Sequence, residues 1–210
     1  MITKEEFKKY CITHNLRYEF DVDGENISEE LLDFLESNWN NNNLFSVLCY
    51  YGYIETLKWL WTLGEINIHT NDEEAFIRSC SNGKIEVAKW LIEISKENGE
   101  EINIHRNKEK AFIWSCLYGQ IEIAKWLMKI SEENGEMINI HTCNNGAFTL
   151  SCIFGNIEVA KWLCSLCDEY YIEIKDDKIV KSGITKTFDK YLDEKKGIKK
   201  VIKRLQLKVI

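Results

Sequence analysis

Cysteine and histidine recur in this chain at intervals that invite a metal or redox reading. Cys49, Cys80, Cys116 and Cys152 stand 31, 36 and 36 residues apart, His69, His105 and His141 stand 36 apart, and Cys164 and Cys167 form a CxxC. Zinc takes thiolate sulfurs at about 2.3 Å from one centre. Ligands contributed one per helix from packed helices lie about 8–10 Å apart, so neither ladder can close on a single ion. Free cysteine behaves as a small hydrophobe when buried, and that is the role assigned to the four-member ladder. Cys164 and Cys167 could meet Cys143 or Cys11 at a metal, but no second CxxC matches them, and metal or redox use is the lesser alternative. The three histidines are assigned to loop packing or hydrogen bonding with a neighbouring turn, with partner contact as the alternative.

Acids and bases also recur without making a catalyst. Glu86, Glu122 and Glu158 each precede a lysine, Lys89, Lys125 or Lys161, by three residues, which is an ordinary helix-surface pair worth a few tenths of a kcal/mol. An active site is a single asymmetric cluster, whereas these groups occur once per unit. The sequence has no P-loop, no Gly-rich dinucleotide turn, no HExxH and no nucleophile elbow. The expectation is a non-enzyme with no cofactor and no metal.

The elements that carry these residues are near-copies of one another. Gly83, Gly119 and Gly155 are 36 apart, as are Trp90, Trp126 and Trp162, and a shorter copy with Gly52 and Trp59 precedes them by 31. A fixed pitch of this length marks a repeat architecture. Within a copy, Ala75, Phe76, Ser79 and Cys80 fall on one stripe of a 3.6-residue helix over Ala75 to Ser81. Gly83 suits the left-handed conformation that ends a helix. Ile85 to Ser95 resumes with Val87, Ala88, Trp90, Leu91 and Ile94 on a second apolar face. Helices this short are not stable alone, so each must bury its face against its partner and the next repeat.

The segments AFIRSCSNGKIEVAKWL, AFIWSCLYGQIEIAKWL and AFTLSCIFGNIEVAKWL resemble ankyrin repeats over roughly Leu44 to Cys167. Phe76, Phe112 and Phe148 take the family's leucine place, the Ser-Cys pairs at 79–80, 115–116 and 151–152 its paired alanines, and Gly83, Gly119 and Gly155 its interhelical glycine. The family's Thr-Pro-Leu-His opening is missing, and Ile77, Ile113 and Thr149 stand where its histidine would be. The hydrogen bonds that motif supplies between turns are therefore expected to be absent. A pitch of 36 against the usual ~33 implies extra residues after the second helix, in the ISKENGEE segment. The Asn-Ile-His linkers and Ala-Phe starts resemble the divergent ankyrin repeats encoded by giant DNA viruses.

The ends differ from the middle. Residues 1–41 hold two candidate helices, Lys4 to Cys11 and Ser28 to Ser37, expected to form an N-terminal helical cap. Residues 42–168 are the repeats, and YYIEIKDDKIV, alternating about Asp176-Asp177, is expected to form a β-hairpin cap over 169–183. A basic tail, 184–210, completes the chain. From Lys175 onward there are 12 Lys and Arg against 5 Asp and Glu, leaving 15 against 29 in residues 1–174. The tail lacks the interleaved aromatics of a nucleic-acid platform, and its charges are expected to be solvated or to face the acidic body. No window has the ~18 apolar residues of a membrane span, MITKEEFKKY lacks the apolar region of a signal peptide, and eight cysteines are expected as reduced thiols. These features imply an intracellular protein, cytoplasmic or nuclear, and in the host cell if viral.

The fold expectation is all-α, an ankyrin-like helix-turn-helix solenoid of about four repeats with an N-terminal helical cap and a C-terminal β-hairpin cap. The resemblance implies a monomeric protein-protein interaction module that binds an unidentified protein, a host protein if viral, through its concave face and inter-repeat loops, with no membrane. Nucleic-acid or anionic-surface binding through the basic tail is the alternative. In the ankyrin pattern the variable positions of the first helix face the groove; here they are Val47, Arg78, Trp114 and Leu150, then Tyr50-Tyr51, Ser81-Asn82, Leu117-Tyr118 and Ile153-Phe154. The copies disagree most at these places. Tyr50, Tyr51, Arg78, Trp114, Leu117, Tyr118 and Phe154 are the candidate partner-binding residues, because aromatics and arginine dominate binding hot spots. The linker tips at Thr70, Arg106 and Thr142 come next.

Overall fold

The computed structural model describes residue 9, residues 41–64 and residues 66–184. Apart from residue 9, the expected N-terminal cap helices lie outside the described residues, as does all but the first residue of the basic tail. Among those described there are four helix-turn-helix repeats and one hairpin: α1 (Asn41–Tyr51), α2 (Ile54–Thr62), α3 (Thr70–Ser81), α4 (Ile85–Glu97), α5 (Arg106–Leu117), α6 (Ile121–Glu133), α7 (Thr142–Ile153), α8 (Ile157–Leu166), β1 (Tyr170–Lys175) and β2 (Lys178–Ile184). The described residues fall into two compact units, one holding those up to Ser79 and Glu86–Ile102, the other Cys80–Ile85 and those from Asn103 on.

In the first unit α1 packs on α2. Leu44, Phe45, Leu48, Cys49, Leu57 and Leu60 are buried there, and the Phe45 ring meets Trp90 at 6.2 Å between centroids. The second unit repeats this logic. α5 packs on both α6 and α7, and α7 on α8. Phe112 and Phe148 are fully enclosed, and Phe112 meets Trp162 of the following repeat at 6.2 Å. The AKWL tryptophan thus covers the previous repeat's phenylalanine. The extra residues behind the long pitch extend the second helix, since α4 and α6 have 13 residues against 9 in α2 and 10 in α8.

The helical turns carry two demands on glycine at once. Gly83 and Gly119 take φ of +74° and +75°, and a Cβ on them would stand 2.6 Å from Gln120 Oε1 and 2.8 Å from Asn156 Oδ1. The residue after the next repeat's glycine is pressed against each of them. Asn156 uses that seat, donating from Nδ2 to the carbonyls of Cys116 (3.3 Å) and Leu117 (2.6 Å) at the end of α5.

The linkers correct one expectation. Hydrogen bonds between turns are present without Thr-Pro-Leu-His, because another set of side chains supplies them. Asn67, Asn103 and Asn139 each accept from the backbone N–H of the histidine two residues on, at 2.8–3.0 Å. Each histidine then reaches four residues forward: Nδ1 of His69 donates to the Glu73 carboxylate and that of His105 to Glu109, at 2.9–3.1 Å, while His141 meets Asn145 Oδ1 at 2.8 Å. This loop closes over three successive left-handed residues, Asn71–Glu73, Asn107–Glu109 and Cys143–Asn145, with φ of 52–66°. Left-handed backbone costs a non-glycine residue about 1–2 kcal/mol, so the turn requires the brace. Glu73 and Glu109 are buried, and Glu109 also accepts from the backbone N–H of Asn139 in the next linker (3.3 Å). In the first unit Asn42 Oδ1 accepts from Asn67 N–H at 3.0 Å.

The hairpin ends the array by imitating the next linker. β1 and β2 pair antiparallel around Asp176-Asp177, with a register irregularity at Glu173/Ile174. Both turn residues have φ near +50°, as a two-residue type I′ turn demands. Tyr170 of β1 stacks on Phe148 at 4.2 Å and 8°, and its hydroxyl donates to Asn145 Oδ1 at 2.7 Å. Where no further Asn-Ile-His follows, asparagine replaces the buried glutamate and a tyrosine hydroxyl replaces the backbone donor.

Candidate functional site

The repeated ionisable groups are occupied with holding the fold. Cys49, Cys80, Cys116 and Cys152 are buried and form no disulfide, which fits the role of small core residues. Burial pushes the Cys49 and Cys116 thiols well up, Arg78 offsetting part of it at Cys49. Cys152 is pushed up to about 11, chiefly by burial, with hydrogen bonds to Ser182 and Ser151 acting the other way. Cys164 of the CxxC is also raised, first by burial and then by Cys167. Reactive cysteines show the opposite shift. Among the described residues no group of three His, Cys, Asp or Glu side chains is placed to hold a metal. The Glu-Lys pairs are exposed surface contacts of 2.9–3.3 Å.

The candidate partner-binding residues fall into two groups. In the first unit Tyr50 and Tyr51 are exposed at the end of α1, meeting edge-on at 5.1 Å, and Tyr51 stacks on Tyr53 at 5.9 Å. Arg78 on α3 is bound by Nε to Glu74 Oε1 at 2.7 Å, a polar pair with its charge already compensated. Val47 is buried.

In the second unit Trp114 and Tyr118 meet edge-on at 6.4 Å. Tyr118 is 53% and Phe154 57% exposed, and Ile153 beside it 37%. Tyr118 and Phe154 occupy equivalent positions after α5 and α7, and Asn156 seats the second turn against the first. The exposed aromatics therefore lie on neighbouring helix ends. Trp114 is half-buried, its Nε1–H covered and without an acceptor.

Leu117 must be withdrawn from the candidates. It is 3% exposed; the equivalent Ser81 is buried too, while Tyr50 in the first repeat and Ile153 in the last stay open. Leu150 is likewise buried. Sequence reasoning missed Lys110, whose Nζ lies 4.5 Å from the Trp114 ring centroid. The four-residue spacing of 110, 114 and 118 was the signal that could have found it. It also missed the buried Glu73 and Glu109.

The family model described as ankyrin repeats (3 copies) matches residues 44–142. Residues 44–142 are an ankyrin-repeat segment. Ankyrin repeats generally mediate protein-protein interaction, and the family is typically non-enzymatic. The described ankyrin-type fold extends past the matched segment, through α7, α8 and the hairpin. No curated protein matches the chain. No described helix is long and apolar enough to cross a membrane.

Proposed function

We propose that this chain is a non-enzymatic binding module that captures a partner protein on the first-helix faces of its ankyrin repeats. One observation carries the reading: in the second unit the rings of Tyr118 and Phe154 stand open at the ends of two packed helices, although Phe112 and Phe148 on the same two helices are enclosed. Neighbouring exposed aromatics on a soluble surface mark interaction sites, and aromatic anchors dominate binding energy. Tyr50 and Tyr51 offer a second aromatic surface in the first unit. Seven cysteines among the described residues that form no disulfide support a reducing, intracellular setting, and the Asn-Ile-His linkers support kinship with the divergent repeats of giant DNA viruses.

Affinity capture from cell extract, read by mass spectrometry, tests the reading when wild type is compared with the Tyr118→Ala, Phe154→Ala double variant. A specific protein should be retained by wild type and weakened by about 2 kcal/mol or more in the variant, at unchanged melting temperature. Equal retention by both would sink it.

A further inference from the structure

Two of the three linker histidines present a ring nitrogen that the turn does not use. Nδ1–H of His69 and of His105 faces both oxygens of the buried Glu73 and Glu109 carboxylates at 2.9–3.1 Å. A carboxylate only accepts, so the proton is on Nδ1 and a neutral ring carries its lone pair on Nε2. That Nε2 faces a second carboxylate. Glu100 Oε2 stands 3.8 Å from Nε2 of His69, and Glu136 Oε2 stands 3.6 Å from Nε2 of His105. Both gaps are too long for a hydrogen bond, and two acceptors facing each other call for positive charge between them.

The gap has the span of two ligands on one metal ion. Zinc held tetrahedrally by an imidazole nitrogen and a carboxylate oxygen, with bonds of about 2.0–2.2 Å, keeps those two atoms about 3.4 Å apart. A small shift of Glu100 or Glu136 closes the difference, since these side chains are 78% and 76% exposed and the rings facing them 22% and 20%. A metal-bound histidine ordinarily donates its other N–H to a carboxylate, which orients the ring and raises its basicity. Glu73 and Glu109 already stand in that place. The outer glutamates are set by the turns that end α4 and α6, where the N–H groups of Glu100 and Glu136 donate to the carbonyls of Ser95 and Ser131 at 3.0 Å.

We infer that His69 with Glu100, and His105 with Glu136, form two like sites for a divalent ion of the zinc class, each completed by water. Imidazole and carboxylate together suit that ion. In both sites the histidine precedes its outer glutamate by 31 residues, so the arrangement recurs with the repeat. The third linker lacks it: His141 Nδ1 meets the amide of Asn145, and Ile172 stands 31 residues on. Two protein ligands make an open site, short of the three-residue groups that are absent among the described residues. The ions therefore exchange and are added for the test. Nothing in this assignment depends on the aromatic face.

Calorimetric titration of zinc chloride into the full chain, beside the Glu100→Gln, Glu136→Gln double variant, tests it. Both substitutions are at exposed side chains, so the two proteins should melt alike without zinc. Wild type should bind two ions more than the double variant, and added zinc should raise its melting temperature. Glu109→Gln, which keeps an acceptor for Nδ1–H, should weaken one of the two sites about tenfold. Cobalt(II) at these sites should give no thiolate charge-transfer band. Equal zinc binding by wild type and the double variant would overturn the assignment, and a thiolate band in both would move the ion to Cys164 and Cys167. Absence of zinc binding would also overturn it and leave two imidazolium–carboxylate pairs in its place.

Discussion

Glu109 shows how a charged residue becomes structural. It sits in left-handed backbone, is buried, and joins its own turn to the next linker through His105 and the Asn139 N–H. Glu109→Ala removes the brace from three strained residues and leaves a donor unmet, so a loss of about 1–3 kcal/mol is expected in chemical denaturation. Exposed Glu122→Ala should cost under about 0.5 kcal/mol. Equal losses would deny Glu109 its role. The role was not legible in the sequence, because burial of a glutamate at that position follows from the left-handed turn, and nothing in NKEK announces one. The burial of the cysteine ladder was legible, because one small residue at the same place on each first-helix stripe falls on the face that packs. Cys49, Cys80 and Cys116 should resist maleimide labelling in the native protein at neutral pH while Cys143 labels, and a chelator should leave the melting temperature unchanged. Rapid native labelling of the three buried thiols would contradict their core placement. The raised thiol of Cys152 has a stability consequence of definite sign. The folded state holds a proton that the unfolded chain releases above its ordinary 9.0, so stability present below that pH is lost as pH climbs towards about 11.

At the scale of elements, helices and turns were readable because their signals are local: the Phe-Ser-Cys stripe, the glycine stop and the alternating hairpin around Asp176-Asp177 each lie within a dozen residues. Their joints were not. Asn156 clamps the end of α5 from 39 residues away, and Leu117 is buried where Tyr50 at the same place in the first repeat is exposed, so neither outcome is written in its own repeat. Tyr170 is the sharpest case, a strand residue whose ring closes the last helix pair. Tyr170→Phe keeps the stack on Phe148 and loses the hydroxyl's contacts to Asn145 Oδ1, His141 Nδ1 and the Ile140 carbonyl, so it should cost about 1–2 kcal/mol. Tyr170→Ala removes the ring as well and should cost about 3–5 kcal/mol. Thermal or urea melts distinguish the two; similar small losses would mean the hairpin does not seal the array.

For the molecule as a whole, duplicated core positions and divergent first-helix positions divide the work. Repetition of Phe, Ser-Cys and Gly holds the ankyrin-type repeats, and the departures at 118 and 154 place aromatic surface where packing does not consume it. Photo-crosslinking tests most directly whether a partner occupies that surface. A photoreactive phenylalanine is placed at Tyr118 on the first-helix face or, separately, at Lys125 on the second helix of the same repeat, and each protein is irradiated with the partner that wild type captures. The expected result is a covalent adduct from position 118 and none from 125. An adduct from 125 with none from 118 would contradict the first-helix face as the binding surface.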